Sequence, residues 1–179
     1  VAPNSRLLDY GCGDGRYLAT MRARGWRVAG IEMTTDYARE LANRLGAEVR
    51  AVDDDFTDWS CAFDRLTMNM VLEHLEEPRA HVERAFSLLV PGGVFYAIIP
   101  NVEGTEARLF GPRWHDLDPP RHRTFLTRAH LETLLVESGF EAPFFDTVSI
   151  GASFSGSLLR YISPRYDRRL LAALPVSYT

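Results

Sequence analysis

The chain contains no lysine: all 20 of its basic residues are arginine. A coding bias explains the bare fact, but the chemical consequence stands. Every mechanism that needs an amine is excluded, including a phosphate-binding-loop lysine, a Schiff base and a lysine of the dehydrogenase type. Cysteine is nearly missing as well. Cys12 and Cys61 supply neither a disulfide framework nor a metal-type pair, so free thiols in a reducing cytoplasm are expected. No apolar run approaches the ~18 residues that cross a bilayer, so stable membrane insertion is not expected. A basic excess is lacking too, and the net charge of -4 argues against a nucleic-acid surface.

What is present is an ordinary globular balance. The 179 residues, 46% of them hydrophobic, suffice for one domain with a proper core. Strand and helix patterns alternate from the first residues. Strands are predicted over 6–10, 27–31, 48–52, 63–70 and 94–99, with a last one near 143–150; helices over 16–24, 35–45, 78–89 and 127–138. Gly25 and Gly46 are placed to stop the first two helices, and Thr127 to cap the fourth. Such alternation implies right-handed crossovers and a doubly wound α/β sheet, Rossmann-like, with helices on both faces. Ligands in that architecture bind beyond the carboxyl ends of the strands, where strand order reverses.

The stretch "LLDYGCGDGRYL" places a glycine turn directly after the first strand. Gly11 and Gly13 suit a sharp turn and close approach to a ligand, and Gly15 suits close helix packing. A dinucleotide fold would set a pyrophosphate against this helix N-terminus. Asp14 stands there instead, and would repel it. The turn therefore suits a phosphate-free, cationic nucleotide-like ligand such as S-adenosylmethionine. Glu32, followed by Met33, ends the second strand, where an acid accepts both ribose hydroxyls. Asp53 or Asp54, in "DDD" after the third strand, is placed to receive an adenine amino group.

Taken together, "LLDYGCGDG", "GIE", "FDRLTMNMVLEHLEEP", "LLVPGGVFYAIIPN" and "LDPPRHRTF" resemble a class I S-adenosylmethionine-dependent methyltransferase of the bacterial small-molecule type. The resemblance runs from about Leu7 to about Phe140. It implies a mostly parallel seven-stranded sheet whose last strand is reversed. It also implies cofactor contacts from Asp9, from the turn residues Gly11, Cys12, Gly13, Asp14 and Gly15, and from Glu32, Met33, Asp53 or Asp54. The segment Asn69, Met70 and Val71 past the fourth strand completes that set. Relatives in the family usually carry a helix or two ahead of the first strand. Because residue 1 is Val rather than Met and lies only a few residues ahead of the first strand, the chain is expected to be trimmed at its N-terminus, and at "LPVSYT" too.

Glu73 and His74, in "LEHL", then face the methionine end of the cofactor and are candidates for positioning or proton transfer; capping a helix is the alternative. The connection 101–126 is expected to be a lid-like insertion within the single domain 1–179. Its Trp114 offers an apolar wall, Arg121 or Arg123 a clamp for an anionic group, and His122 a general base at neutral pH. His115, Asp116, Asp118 and His122 match no standard ligand spacing, so no metal is expected. The segment 151–179 is amphipathic enough to pack on the domain. The acceptor is expected to be a small molecule. Two alternatives stay open: a non-catalytic module that binds the cofactor, and an NAD-dependent oxidoreductase, which Asp14 and the missing lysine disfavour.

Overall fold

The computed structural model describes residues 2, 4–148 and 151–162. Its centre is a five-stranded parallel sheet in the order β3-β2-β1-β4-β5, with β1 at Arg6–Tyr10, β2 at Arg27–Glu32, β3 at Glu48–Ala51, β4 at Phe63–Asn69 and β5 at Leu89–Ile98. Each crossover carries a helix or a turn. Helix α1 spans Arg16–Ala23, α2 Thr35–Leu45, α3 Pro78–Leu88, α4 Thr105–Phe110, α5 Arg128–Glu137 and α6 Gly151–Ile162.

The central strand explains the layering. Residues Leu7 to Tyr10 of β1 are all buried, as a strand with a neighbour on each side and helices on both faces requires. Leu7 belongs to one apolar cluster with Leu18 and Met21 of α1 and Leu41 of α2. Leu8 and Tyr10 belong to the other, with Val82 and Ala85 of α3 and Leu131 and Leu134 of α5. Burying each of these leucines stabilises the fold by about 1.5–3 kcal/mol. The predicted punctuation is in place: Gly46 caps α2 in the left-handed region, and the Thr127 hydroxyl accepts the His130 N–H at the start of α5.

Strand order reverses between β1 and β4. The chain steps outward from β1 through β2 to β3, then returns to build β4 and β5 on the other side. The ligand crevice of this topology therefore opens beyond Tyr10 and Asn69.

Three expectations change. Seven strands, the last reversed, do not appear among the described residues; five strands do, all parallel. The strand near 143–150 is not formed over 143–148, where Phe144 is 89% exposed, and 149–150 lie outside the described residues. Without a neighbouring edge to pair with, an apolar, aromatic stretch does not become a strand. Finally, β5 begins at Leu89 rather than Val94. Phe63 pairs with Leu89 and Arg65 already with Val94, so "PGG" is thrown out as an irregularity within the strand. Of the segment 151–179, only α6 is described, and it packs on the connection after β5: the Ser157 hydroxyl accepts the His115 N–H, and Arg160 donates to the Trp114 and His115 carbonyls.

Candidate functional site

The glycine turn is tied to the sheet before any ligand arrives. The N–H groups of Gly11 and Cys12 both donate to the Ile31 carbonyl, at 2.8 and 3.1 Å. At Gly11, φ is +75°, and a Cβ would lie 2.6 Å from Val71 Cγ2, so the turn is wedged directly against the chain leaving β4. At Gly13, φ is +51°, and a Cβ would meet nothing within 4 Å. Bare backbone faces open space there. Gly15 is backed by Leu41 and Leu45 of α2, the close helix packing expected of it. Cys12 contributes packing rather than chemistry. Burial, helped by Asp9 and Glu32, pushes its thiol up to about 12.

The acids divide by environment. The Glu32 carboxylate accepts from the Gly13 N–H and from its own neighbour's, Met33, each at 2.8 Å, which locks the turn to the end of β2. Asp9 is 3% exposed and accepts from the Thr67 hydroxyl at 2.6 Å and from the Asn69 amide at 3.4 Å. Burial nevertheless lifts it to about 6, against the lowering effect of those donors, and Glu32 adds to the rise. Asp14 is exposed: it accepts the Arg16 N–H and pairs with the Arg16 guanidinium at 2.9 Å. Asp53, Asp54 and Asp55 beyond β3 are all exposed; Asp54 turns back to accept the Ala51 N–H, and Asp55 accepts from the Thr57 N–H and hydroxyl.

Asn69, Met70 and Val71 leave β4 beside this turn. Met70 sits at φ +55°, a left-handed conformation that a non-glycine residue adopts at a strain of about 1–3 kcal/mol, and its N–H donates to the Ile98 carbonyl. The strain places Val71 against Gly11. Two residues on, the 3₁₀ turn Leu72–His74 buries Glu73 at 2% exposure.

Glu73 is held by its backbone and not by its side chain. Its carbonyl accepts the N–H groups of Arg123, at 2.7 Å, and Thr124, at 3.1 Å, while neither carboxylate oxygen has a hydrogen-bond partner among the described residues. Burial pushes the carboxyl up to about 7, and Asp116 adds to the rise. His74 Nδ1 is 3.0 Å from the Arg121 carbonyl and His122 Nδ1 2.5 Å from the Asp116 carbonyl. The two imidazoles meet edge to face, centroids 4.8 Å apart. Arg121 is ion-paired with Asp118 and Arg123 with Glu76, so both guanidinium groups named as anion clamps are engaged within the chain. Trp114 is 4% exposed, a packing residue more than an open wall.

The fold thus brings together Asp9 with Asn69, Gly13 with Glu32, Gly11 with Val71, and Glu73 with His74 and His122. Sequence patterns point to neither Arg16 nor Thr67, nor to the network in which the Tyr10 hydroxyl meets His81 Nδ1 at 2.6 Å and Arg84 at 3.2 Å. One signal was available. A tyrosine ending a fully buried central strand needs a partner for its hydroxyl.

Comparisons with known proteins identify the family and the fold. A family model described as "Methyltransferase domain" matches residues 2–142. A ubiquinone biosynthesis O-methyltransferase from Psychrobacter arcticus is 30% identical over 157 residues, covering 75% of this chain and 58% of the relative. The chain therefore spans little more than half the length of that relative. Among solved structures, a SAM-dependent methyltransferase from Methanosarcina mazei superposes with a TM-score of 0.64 at 22% identity, covering 84% of this chain and 86% of that one. Another from Thermotoga maritima gives 0.62 at 22% identity, covering 79% and 67%. At these identities the structural likenesses speak for the fold.

Proposed function

Since the chain belongs to the class I S-adenosylmethionine-dependent methyltransferases, we propose that it moves the methyl group of that cofactor onto an oxygen of a small molecule. The observation that carries this is the convergence of bare backbone at Gly13 with the acids Glu32, Asp9 and Asp53 at the strand ends flanking the switch point. The curated relatives, named as O-methyltransferases of ubiquinone biosynthesis, support oxygen as the acceptor atom.

The residues fit the cofactor. Gly13 leaves an open cradle, and Glu32 oxygens already fixed by two N–H groups keep lone pairs for the ribose hydroxyls. Asp9, ionised above about 6, meets the ammonium charge, and Asp53 the adenine amine. When bound, S-adenosylmethionine supplies a methyl group on a sulfonium, which is lost by in-line displacement as positive charge disperses. The chain's own part is mainly alignment in a dry site. Val71 and Leu72, both buried, exclude water beside the turn. The Glu73–His74–His122 cluster positions the acceptor's hydroxyl and favours its loss of a proton, and the connection 101–126 covers the acceptor pocket, anchored through the Glu73 carbonyl.

Incubation with methyl-tritiated S-adenosylmethionine and a panel of phenols, alcohols and amines tests the assignment. Label in the oxygen acceptors supports it. Label confined to the amines overturns the choice of atom.

A further inference from the structure

A carboxylate buried without a partner is costly, and each such group in a native fold asks for an explanation. Glu73 is 2% exposed, and neither of its carboxylate oxygens has a hydrogen-bond partner among the described residues. Its neighbours supply one. A ligand-type atom from each of Glu73, His74 and His122 lies within 4.8 Å of the others. The imidazoles are also already oriented. A carbonyl oxygen only accepts, so the contacts of His74 Nδ1 with the Arg121 carbonyl and of His122 Nδ1 with the Asp116 carbonyl require both Nδ1 atoms to carry the proton. Each Nε2 keeps its lone pair. This is the outer support by which proteins fix the tautomer of ligating histidines.

We propose that Glu73, His74 and His122 bind a divalent transition-metal ion through the carboxylate and two Nε2 atoms, with the remaining coordination positions open to the oxygen of the methyl acceptor. Two neutral imidazoles and one carboxylate form the ligand set of catalytic zinc and non-haem iron(II) sites that retain open positions. Three ligand atoms about 2.1 Å from one such ion lie about 3–3.6 Å from one another, so the cluster closes by side-chain movements of about 1–2 Å. The set leaves a net charge of +1 on the bound ion, which suits an oxyanion.

The site deepens the function proposed above and, in its catalytic use, rests on it. A hydroxyl coordinated there gives its proton to water, since the metal stabilises the oxyanion. The new C–O bond then forms as the C–S bond breaks, sulfur keeps the electron pair, and the metal's oxidation state does not change. Sequence spacing pointed to no metal, because Glu73 and His74 are far from His122 along the chain and meet it only through the fold. Asp116 and Asp118, nearer to His122 in sequence, are engaged elsewhere: Asp116 accepts from Ser153 and Asp118 pairs with Arg121.

Metal binding is read directly on the full chain, without cofactor or acceptor. After dialysis against a chelator, calorimetric titration with Zn²⁺ and visible absorption with Co²⁺ should both saturate at one equivalent. Glu73→Gln and His122→Ala should each weaken binding by about 100-fold or more, whereas His130→Ala, on exposed α5 surface, should leave it unchanged. If Glu73→Gln fails to fold, His74→Ala, whose side chain is exposed, gives the same readout. Absence of saturable binding, or equal binding by all variants, overturns the site. A parallel titration with S-adenosylhomocysteine separates the two ideas: a chain that binds it but takes up no metal refutes the metal site alone.

Discussion

Two buried carboxylates sit near the ends of the same half of the sheet and live differently. Asp9 is met by a hydroxyl and an amide from β4, which oppose the rise that burial imposes on its pKa. Glu73, raised by burial as well, has no side-chain hydrogen-bond partner among the described residues. Asp9 belongs to a region built by strands, with every donor supplied by the sheet. Glu73 belongs to a region assembled by a 3₁₀ turn and a connecting segment that grip its backbone and leave its carboxylate open. The first is ordered by the sheet alone; the second is gripped only through its backbone. That contrast separates the end of the crevice proposed for the cofactor from the end proposed for the acceptor.

The largest expected effect comes from disturbing the join between the two regions. Gly11→Val, at φ +75° and with Val71 2.6 Å from its Cβ, should destabilise the fold by about 3 kcal/mol. It should also abolish S-adenosylhomocysteine binding, as shown by a thermal melt and a calorimetric titration; retention of both would separate turn and wedge. Glu32→Ala comes next. Loss of hydrogen bonds to a charged acceptor should weaken cofactor affinity by about 10–100-fold and, because the Gly13 and Met33 N–H groups lose their acceptor at the end of β2, lower the melting temperature by a few degrees.

Asp9 sharpens the comparison through pH. Its folded pKa is raised, from 3.8 to about 6, by burial and by Glu32, so the apo fold binds extra protons and its stability is lost as pH rises through that window. Asp9→Asn should therefore melt higher than wild type at pH 8, by an amount on the order of 2 kcal/mol, and show no such gain at pH 4. Cofactor affinity runs the other way, because only the ionised carboxylate attracts the ammonium. It should fall about tenfold from pH 7 to pH 5 in wild type and stay flat in Asp9→Asn. A flat wild-type profile would remove Asp9 from the cofactor site. The smallest effect is expected at Asp14. Its charge is shared with Arg16 at an exposed pair, where such contacts contribute about 0–1 kcal/mol, so Asp14→Asn should change affinity less than about 3-fold.

Much of the strand-built region was legible in advance, because its signals are local. Periodicity and glycine stops marked β1, α2 and β3 to within a residue, and the turn at Gly11 to Gly15 lies where its spacing said. The acceptor region was legible only as a set of names. Nothing local told that Glu73 would be buried, that Arg121 and Arg123 would be consumed by Asp118 and Glu76, or that α4 would form inside the connection after β5. Those outcomes depend on contacts across the fold, as does the placing of Thr67 beneath Asp9. Asp14 teaches the same lesson in miniature: its charge was visible, its partner two residues later was not weighed, and pairing lowers its worth to a ligand.

The claim under everything else is that an acid-edged, phosphate-free elbow selects an adenosyl sulfur compound. Side-by-side calorimetric titration of the chain with S-adenosylhomocysteine and with NAD addresses it most directly. One saturable equivalent of S-adenosylhomocysteine and no heat from NAD is the expected pair of results; saturation by NAD with indifference to S-adenosylhomocysteine would contradict it.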